Sequence, residues 1–345
     1  MSVAEKITQL QQIKTDIKNA IINKGNSVGD DFRTYAKAIG AISTPLTING
    51  TGIKFAYSTF SSIPRNVNLS GVTNFSQMFY QCTSLKNVSI DMPSNTNLAE
   101  SFYNCNTLTS VTLTNTSKVV YFTETFYSCE KLEIAPRLDT TNGMYFGYMF
   151  SNCKSLKSIP IYNTSKGIFF ESMFANCSSL TEVPTIDLSL AVNIQGMFNG
   201  CTKITTIPQY DTSKVTNVNL FINNCTSLTS VPLLDFGSVN NVGTSPFGIT
   251  TLLNLTDLGG FQNLKVSWSS YFLDKLPNLT VDSLMNVINN LYDWSGNTDG
   301  KAPLNNGTIH SFGTTHKLKF GAVNLAKLTD EQVAVATAKG WTLTT

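Results

Sequence analysis

All seven cysteines of this chain fall in one series, at positions 82, 105, 129, 153, 177, 201 and 225, with an interval of 23 and then intervals of 24 residues. A fixed period of that length means stacked supersecondary units, each too small to bury its own apolar face and dependent on its neighbours for a core. The same frame surrounds each cysteine. Three residues before it stand Phe79, Phe102, Phe126, Phe150, Phe174 and Phe198, with Ile222 in the seventh unit. Three after it come Leu85, Leu108, Leu132, Leu156, Leu180, Ile204 and Leu228, and six after it Val88, Val111, Ala135, Ile159, Val183, Ile207 and Val231. Stretches such as Val88-Ser89-Ile90, Val111-Thr112-Leu113 and Ile159-Pro160-Ile161 alternate as half-buried strands do. Seven coils at a strand spacing of about 4.8 Å would extend roughly 35 Å.

The phase continues past the cysteines. One step upstream places Tyr57 in the cysteine slot; downstream steps place Ile249 there, followed by Leu252 and Leu255, and then Leu273, Leu276 and Leu279. The array is therefore expected over 45–280, with degenerate coils at its ends to keep apolar coil faces from solvent. Between coils recur the polar turns Asn115-Thr116-Ser117-Lys118, Asn163-Thr164-Ser165-Lys166 and Asp211-Thr212-Ser213-Lys214. Their repetition at one structural position marks a turn role through side-chain bonds to nearby backbone. Asp139, Asp187, Asp211 and Asp235 share that position and are read the same way.

Three uses compete for the cysteines. Equivalent sites in neighbouring coils point in parallel, which is poor geometry for a row of disulfides. Metal binding calls for clustered ligands such as CxxC pairs, and the chain has none. A ladder of buried thiols, acting as small hydrophobes with weak hydrogen-bonding ability, is the reading that fits seven similar sites.

The frame Met149-Phe150-Ser151-Asn152-Cys153-Lys154-Ser155-Leu156-Lys157-Ser158-Ile159-Pro160 resembles the BspA-type (Treponema pallidum-type) leucine-rich repeat and the related DUF285 repeats of bacterial surface proteins. The resemblance spans about two-thirds of the chain and implies a leucine-rich-repeat solenoid, α/β or mainly β, of the kind found in surface adhesins and in phage-borne proteins; it supplies no catalytic residues. The chain departs from the pattern at Pro136, Pro160, Pro184, Pro208 and Pro232, which follow the Val, Ile or Ala. Proline has no amide to give a ladder, so one long regular sheet is not expected.

The ends differ from the repeat. In residues 1–44, Val3, Ile7, Leu10, Ile13, Ile17 and Ile21 recur at helical spacing, Gly25 closes that helix, and Phe32, Tyr35, Ala38 and Ile39 suggest a second, capped by Asp30 or Asp31. This segment is similar to the N-terminal helical piece of many phage tail and fibre proteins, which implies an anchoring and homo-oligomerising element docked to other virion proteins. Residues 281–345 are expected to form an α+β cap, with helices over 281–291 and 330–339, a loop over 295–313, and Leu343 in a final strand. The two histidines, His310 and His316, are six apart in a loop-like stretch and read as solvent-facing rather than as a metal pair.

Only 13% of residues are charged and the net charge is +2, which gives no electrostatic footprint for nucleic acid. No apolar run approaches the length of a membrane span. There is no phosphate-binding glycine loop, no catalytic constellation, and no implied cofactor. The first residues lack the basic-then-apolar order of a signal peptide, and thiols kept reduced fit assembly in a cytoplasm. These features together lead to an expected virion structural protein: a fibre, head-fibre or appendage subunit. The alternative is a bacterial cell-surface adhesin or protein-interaction module. In either case the expected contact residues are the outward positions of the strand face, Asn87, Ser110, Ser158, Glu182, Thr206 and Ser230, and the expected partner is a host-surface glycan or protein.

Overall fold

The structure, a computed structural model, describes residues 46–51, 55–57, 61–63, 67–240, 245–248, 252–267, 272–305, 307 and 309–345. The helices expected over 1–44 lie outside the described residues. The chain winds as a β-solenoid of about ten coils, with coil-to-coil contact along two lines. The first line lies just after each cysteine and contains the parallel strands β3 (Asn87–Asp91) and β4 (Ser110–Thr114), which pair Asn87 with Ser110 and Val88 with Val111. Strands β1 (Leu46–Thr51) and β2 (Val67–Asn74) pair in the same parallel sense before it. The second line lies eight residues before each cysteine, where Asn97, Tyr121, Tyr145, Phe169, Asn193 and Asn217 bridge in succession.

Between the second line and the cysteine the chain turns tightly, and it does so in the same way in all seven cysteine-bearing coils. Residues five and one before the cysteine adopt the left-handed conformation: Gln77 and Gln81, Glu100 and Asn104, Glu124 and Ser128, Tyr148 and Asn152, Ser172 and Asn176, Gly196 and Gly200, Leu220 and Asn224. These amides are turned toward the next coil. Gln77 donates to the Ala99 carbonyl at 3.0 Å and Gln81 to that of Tyr103 at 2.7 Å, and the pattern repeats along the stack. Inter-coil pairing thus satisfies backbone groups that the turn itself leaves open.

The spine is aromatic. Phe79, Phe102, Phe126, Phe150, Phe174 and Phe198 are fully buried and stack ring on ring with centroids 5.2–6.0 Å apart. Each cysteine beside them is a free, buried thiol. Its Sγ donates to the carbonyl of the phenylalanine in the coil before, at 3.1–3.2 Å from Cys105 to Phe79 through Cys225 to Phe198. The ladder of thiols read from the sequence is thus also a ladder of hydrogen bonds.

The prolines do what their missing amides require. In β3 the exposed and buried residues alternate from Asn87 to Asp91. In the coils of Pro136, Pro160, Pro184 and Pro208 the strand is lost, including the expected Ile159-Pro160-Ile161, and only isolated bridges such as Ile134 to Ser158 and Thr206 to Ser230 remain. The side-chain parity then slips by one: Ile161 is 85% exposed and Tyr162 is buried in its place. The Tyr162 hydroxyl donates to the Pro136 carbonyl at 2.7 Å, and Tyr210 does the same for Pro184 at 3.0 Å. A phenol from the following coil thereby satisfies a carbonyl where the strand ladder is interrupted.

The register at the ends differs from the sequence reading. Phe55 stacks on Phe79, and its carbonyl accepts the Cys82 thiol, so Tyr57 sits one place before the cysteine slot, in the left-handed position. Downstream, β5 (Ser230–Val231) pairs with β7 (Asp257–Leu258), which sets Leu258 against Val231. That interval is 27 residues, so the slot falls to Leu252 rather than Ile249. Strands β6 (Leu234–Asp235) and β8 (Phe261–Gln262) pair alongside in the same way.

At the C-terminal end, helix α1 (Val281–Asn289) starts from the Thr280 cap where another strand would begin. The segment expected to be a loop contains an antiparallel hairpin, β9 (Lys301–Pro303) with β10 (Ile309–Ser311). Strand β11 (His316–Lys319) pairs in parallel with β12 (Trp341–Thr344), and α2 (Ala322–Leu325) and α3 (Asp330–Ala338) connect them. Thr329 and Gln332 form a reciprocal capping box at the start of α3. This region closes open carbonyls. Asn324 donates to Leu273 and Leu276, the Lys327 ammonium to Pro277 and Leu279, and the Lys339 ammonium to the carbonyl-rich end of α1. His316 is not solvent-facing as expected: it is 4% exposed and lies flat on Trp294, with ring centroids 3.8 Å apart. Its Nδ1 is buried without a partner.

Two outcomes are expected. Burial pushes the thiols of Cys105, Cys129, Cys153, Cys177, Cys201 and Cys225 upward, that of Cys201 to about 12. Because only the thiolate is nucleophilic, these six should stay silent to an aromatic disulfide reagent in the native protein and react together on denaturation, as read by absorbance titration. Burial also lowers the His316 imidazole below its usual range. The unfolded imidazole takes a proton as pH falls through about 6.5, while the folded one stays neutral. This stability is therefore full above that pH and lost as pH falls through the lowered folded value. Wild type should lose more melting temperature than His316→Phe between neutral and mildly acidic pH.

Candidate functional site

Two faces of the solenoid carry side chains that the core does not use. On the strand face the residues five after each cysteine point outward. Asn87, Ser110, Ser158, Glu182 and Thr206 are exposed, as is the apolar Ile134 in the same row, whereas Ser230 is half-buried and donates to the Asp257 carboxylate at 3.1 Å. Backbone pairing joins them in runs: Ser62, Asn87 and Ser110; Ile134 and Ser158; Thr206, Ser230 and Asp257. Glu182 is joined to neither neighbour by a bridge among those pairings. Beside the row the charges are matched, with Lys154 on Glu130 and Lys157 on Glu133, both at 2.7 Å.

The turn-forming acids lie elsewhere and serve the backbone. Asp139 accepts from the Thr141 hydroxyl and amide, Asp187 from the Ser189 amide, Asp211 from Ser213 and Asp235 from Gly237. Those bonds hold the Asp139 and Asp187 carboxyls below their usual range. Buried Thr116 and Thr164 interlock with the next turn by giving a hydroxyl to one carbonyl and taking one amide, at Asp139 and Asp187.

The second face is formed by the tight turns before the cysteines. Two columns of aromatic rings run along it, half-exposed. One, two residues before the cysteine, stacks Tyr80, Tyr103 and Tyr127 at 4.7 and 4.6 Å. The other, eight before it, stacks Tyr121, Tyr145 and Phe169 at 4.8 and 5.6 Å. The positions between them carry Glu100, Glu124 and Glu171. Gln77 donates to Glu100 at 3.1 Å; Glu124 and Glu171 have no cationic partner among the described residues, and Glu171 Oε2 is buried without a hydrogen bond. Partial burial raises the Glu124 carboxyl, with Glu100 adding like-charge repulsion, and partial burial likewise raises Glu171. The segments 74–81, 97–104, 121–128, 145–152, 169–176, 193–200 and 217–224 contain no Lys, Arg or His at all. A chain of net charge +2 thus has one face with carboxylates alone.

Reading the repeat for its invariant spine overlooks this face. The signal was present as Phe-Tyr dipeptides ending at Tyr80, Tyr103 and Tyr127, in phase with the cysteines. Among the described residues no group of three or more His, Cys, Asp or Glu is placed to hold a metal ion, and no helix is long and apolar enough to cross a membrane.

A stack of short coils with a buried aromatic and leucine spine defines a repeat protein that presents surfaces along its length. Residues 44–133 match the family model described as BspA type leucine rich repeat region, and residues 96–206 and 183–244 match DUF285, described from Mycoplasma proteins of unknown function. The chain carries repeats that match the BspA-type leucine-rich repeat and DUF285. No curated protein sequence matches it. Among solved structures it is similar to a leucine-rich repeat protein from Bacteroides ovatus, at 16% identity over 74% of this chain and 70% of that one, with a TM-score of 0.48. It is also similar to the leucine rich repeat protein of T. pallidum, at 19% identity over 60% and 85% of the two chains, with a TM-score of 0.29. A leucine rich cell surface protein from Faecalibacterium prausnitzii gives 16% identity, 59% and 82% coverage, and a TM-score of 0.28.

The unpaired carboxylates have a measurable consequence. A carboxyl whose folded value is raised stabilises the protonated chain, and that contribution is present below the unfolded value and lost as pH rises through the folded one. Glu124→Gln and Glu171→Gln should therefore melt higher than wild type at neutral pH, by about a degree or two, with the gain vanishing below the usual carboxylate range. Calorimetric melting across pH measures it.

Proposed function

We propose that this protein is an interaction module of the adhesin type, displayed at a bacterial cell surface, whose strand face engages a protein or glycan on another surface. The observation that carries this reading is the row Asn87, Ser110, Ser158, Glu182, Thr206 and Ser230. Hydroxyl, amide and carboxyl groups, interrupted by Ile134, are set along a backbone fixed by a buried spine. Groups held this way lose little conformational freedom on binding, which is what lets modest polar contacts add up. A repeat surface built of stacked coils suits contact along an extended partner. The match to BspA-type repeats, a repeat type that occurs in bacterial surface proteins, supports the adhesin reading over a virion fibre. The virion reading drew on residues 1–44, which are outside the described residues.

The test is binding of the purified chain to immobilised extracellular glycoproteins and to a printed glycan array. Ser158→Arg and Glu182→Arg, both at exposed positions, should reduce capture about tenfold or more by placing bulk and charge in the contact row, with unchanged melting temperature. Capture that persists in both variants would remove the strand face from the binding surface.

A further inference from the structure

A different face carries a second inference. We propose that the turn face bearing Glu100, Glu124 and Glu171 is a docking surface for a basic protein segment, one that lays arginine or lysine side chains along the carboxylates between the two aromatic columns.

Charge complementarity is the first argument. On the strand side, Glu130 is neutralised by Lys154 and Glu133 by Lys157, while Glu182 has no cationic partner among the described residues. Those of the turn face have no cation among the described residues, and no Lys, Arg or His occurs in any of its seven turn segments. Segregating one sign of charge on a rigid face attracts the opposite sign and repels nucleic acid and other anionic polymers. Half-buried aromatic walls strengthen that attraction by excluding water from beside the charges.

Ring geometry narrows the partner. Rings stacked 4.6–4.8 Å apart leave no space for a ligand between them, so a sugar cannot lie on the faces of Tyr80, Tyr103 or Tyr145. What these rings offer is a row of edges and phenol oxygens, which accept hydrogen bonds from cationic donors. The stacking of rings stops where a column ends. The position after Tyr127 is Ser151, and the position after Phe169 is Asn193, so the last ring of each column has no aromatic neighbour beyond it. A guanidinium can stack there while its fork reaches a carboxylate, a geometry that favours arginine over lysine.

The experiment uses the full chain and a fluorescein-labelled octapeptide of alternating arginine and serine, with the glutamate–serine octapeptide as control, read by fluorescence anisotropy. Wild type should bind the arginine peptide saturably and lose affinity as salt rises; the glutamate peptide should not bind. Glu100→Gln combined with Glu124→Gln should weaken binding about fivefold or more. Glutamine already occupies the equivalent position as Gln77, so that variant should fold, and its melting temperature checks that it does. Glu130→Gln combined with Glu133→Gln should leave binding unchanged, as should Ser158→Arg and Glu182→Arg, because the inference does not rest on the strand face. No saturable binding, or equal loss from the strand-side pair, would overturn the proposal. So would a self-associated chain whose assembly, seen by sedimentation, is lost in the Glu100/Glu124 variant, since the occupant would then be a second copy.

Discussion

The carbonyl of the phenylalanine three places before six of the seven cysteines accepts from two directions, and the regularity of the solenoid depends on it. Phe102 takes the amide of Cys105 in its own coil at 3.1 Å and the thiol of Cys129 in the next at 3.2 Å. A carbonyl has two lone pairs, and this arrangement uses both inside a core where an unmet acceptor is costly. It also fixes why one residue type recurs. The side chain must be small enough to stand beside a stacked ring, must carry a donor, and must tolerate burial; a thiol meets all three. The phenyl ring and the thiol therefore set the pitch together, one by stacking and one by hydrogen bonding.

With the pitch fixed there, the rest of the coil is free to change its local structure. The coils of Cys82 and Cys105 continue into paired strands, whereas those with Pro136, Pro160, Pro184 and Pro208 do not, and the coil with Pro232 keeps only two-residue strands on either side of it. The loss of ladder bonds does not break the stack, because Tyr162 and Tyr210 turn inward and give their hydroxyls to proline carbonyls. A buried tyrosine brings both apolar area and a donor to such a gap. Thr116 and Thr164 likewise tie successive turns through a single hydroxyl. Side chains take over the bonds that backbone makes in a regular sheet.

This explains what could be read from sequence and what could not. The spine was legible because Phe, Cys and Leu recur in register and each has one role. The parity change was not, since alternation in Ile159-Pro160-Ile161 looks the same whether Ile161 or Tyr162 faces the core. The register beyond Cys225 was ambiguous for a physical reason. Leucines at 252, 255 and 258 are spaced by three, so the frame that expects apolar residues at slot, slot plus three and slot plus six fits them in more than one phase. His316 reads as a loop residue because its partners, Trp294 and Trp341, are distant in sequence and give no periodic signal. On the surfaces, the strand row could be named residue by residue, but the acidic turn face depends on which half-exposed columns adjoin, and that follows only from the stacking.

The left-handed residues carry the same distinction between what folding demands and what the surface presents. One place before the cysteine this conformation is met at five of seven coils by Asn104, Asn152, Asn176, Gly200 and Asn224, the residue types that adopt it with least strain, and at the other two by Gln81 and Ser128. Five places before, the same conformation falls on Gln77, Glu100, Glu124, Tyr148, Ser172 and Leu220, with glycine only at Gly196. Each non-glycine residue there costs about 1–2 kcal/mol relative to a residue at ease in that region. Folding alone would favour glycine or asparagine at both sites, since both amides make the same kind of bond to the next coil. The strained site is the one whose side chains lie between the aromatic columns. Strain concentrated at one surface position accords with side chains kept there for contact, and at Glu100 and Glu124 the contact proposed is with positive charge.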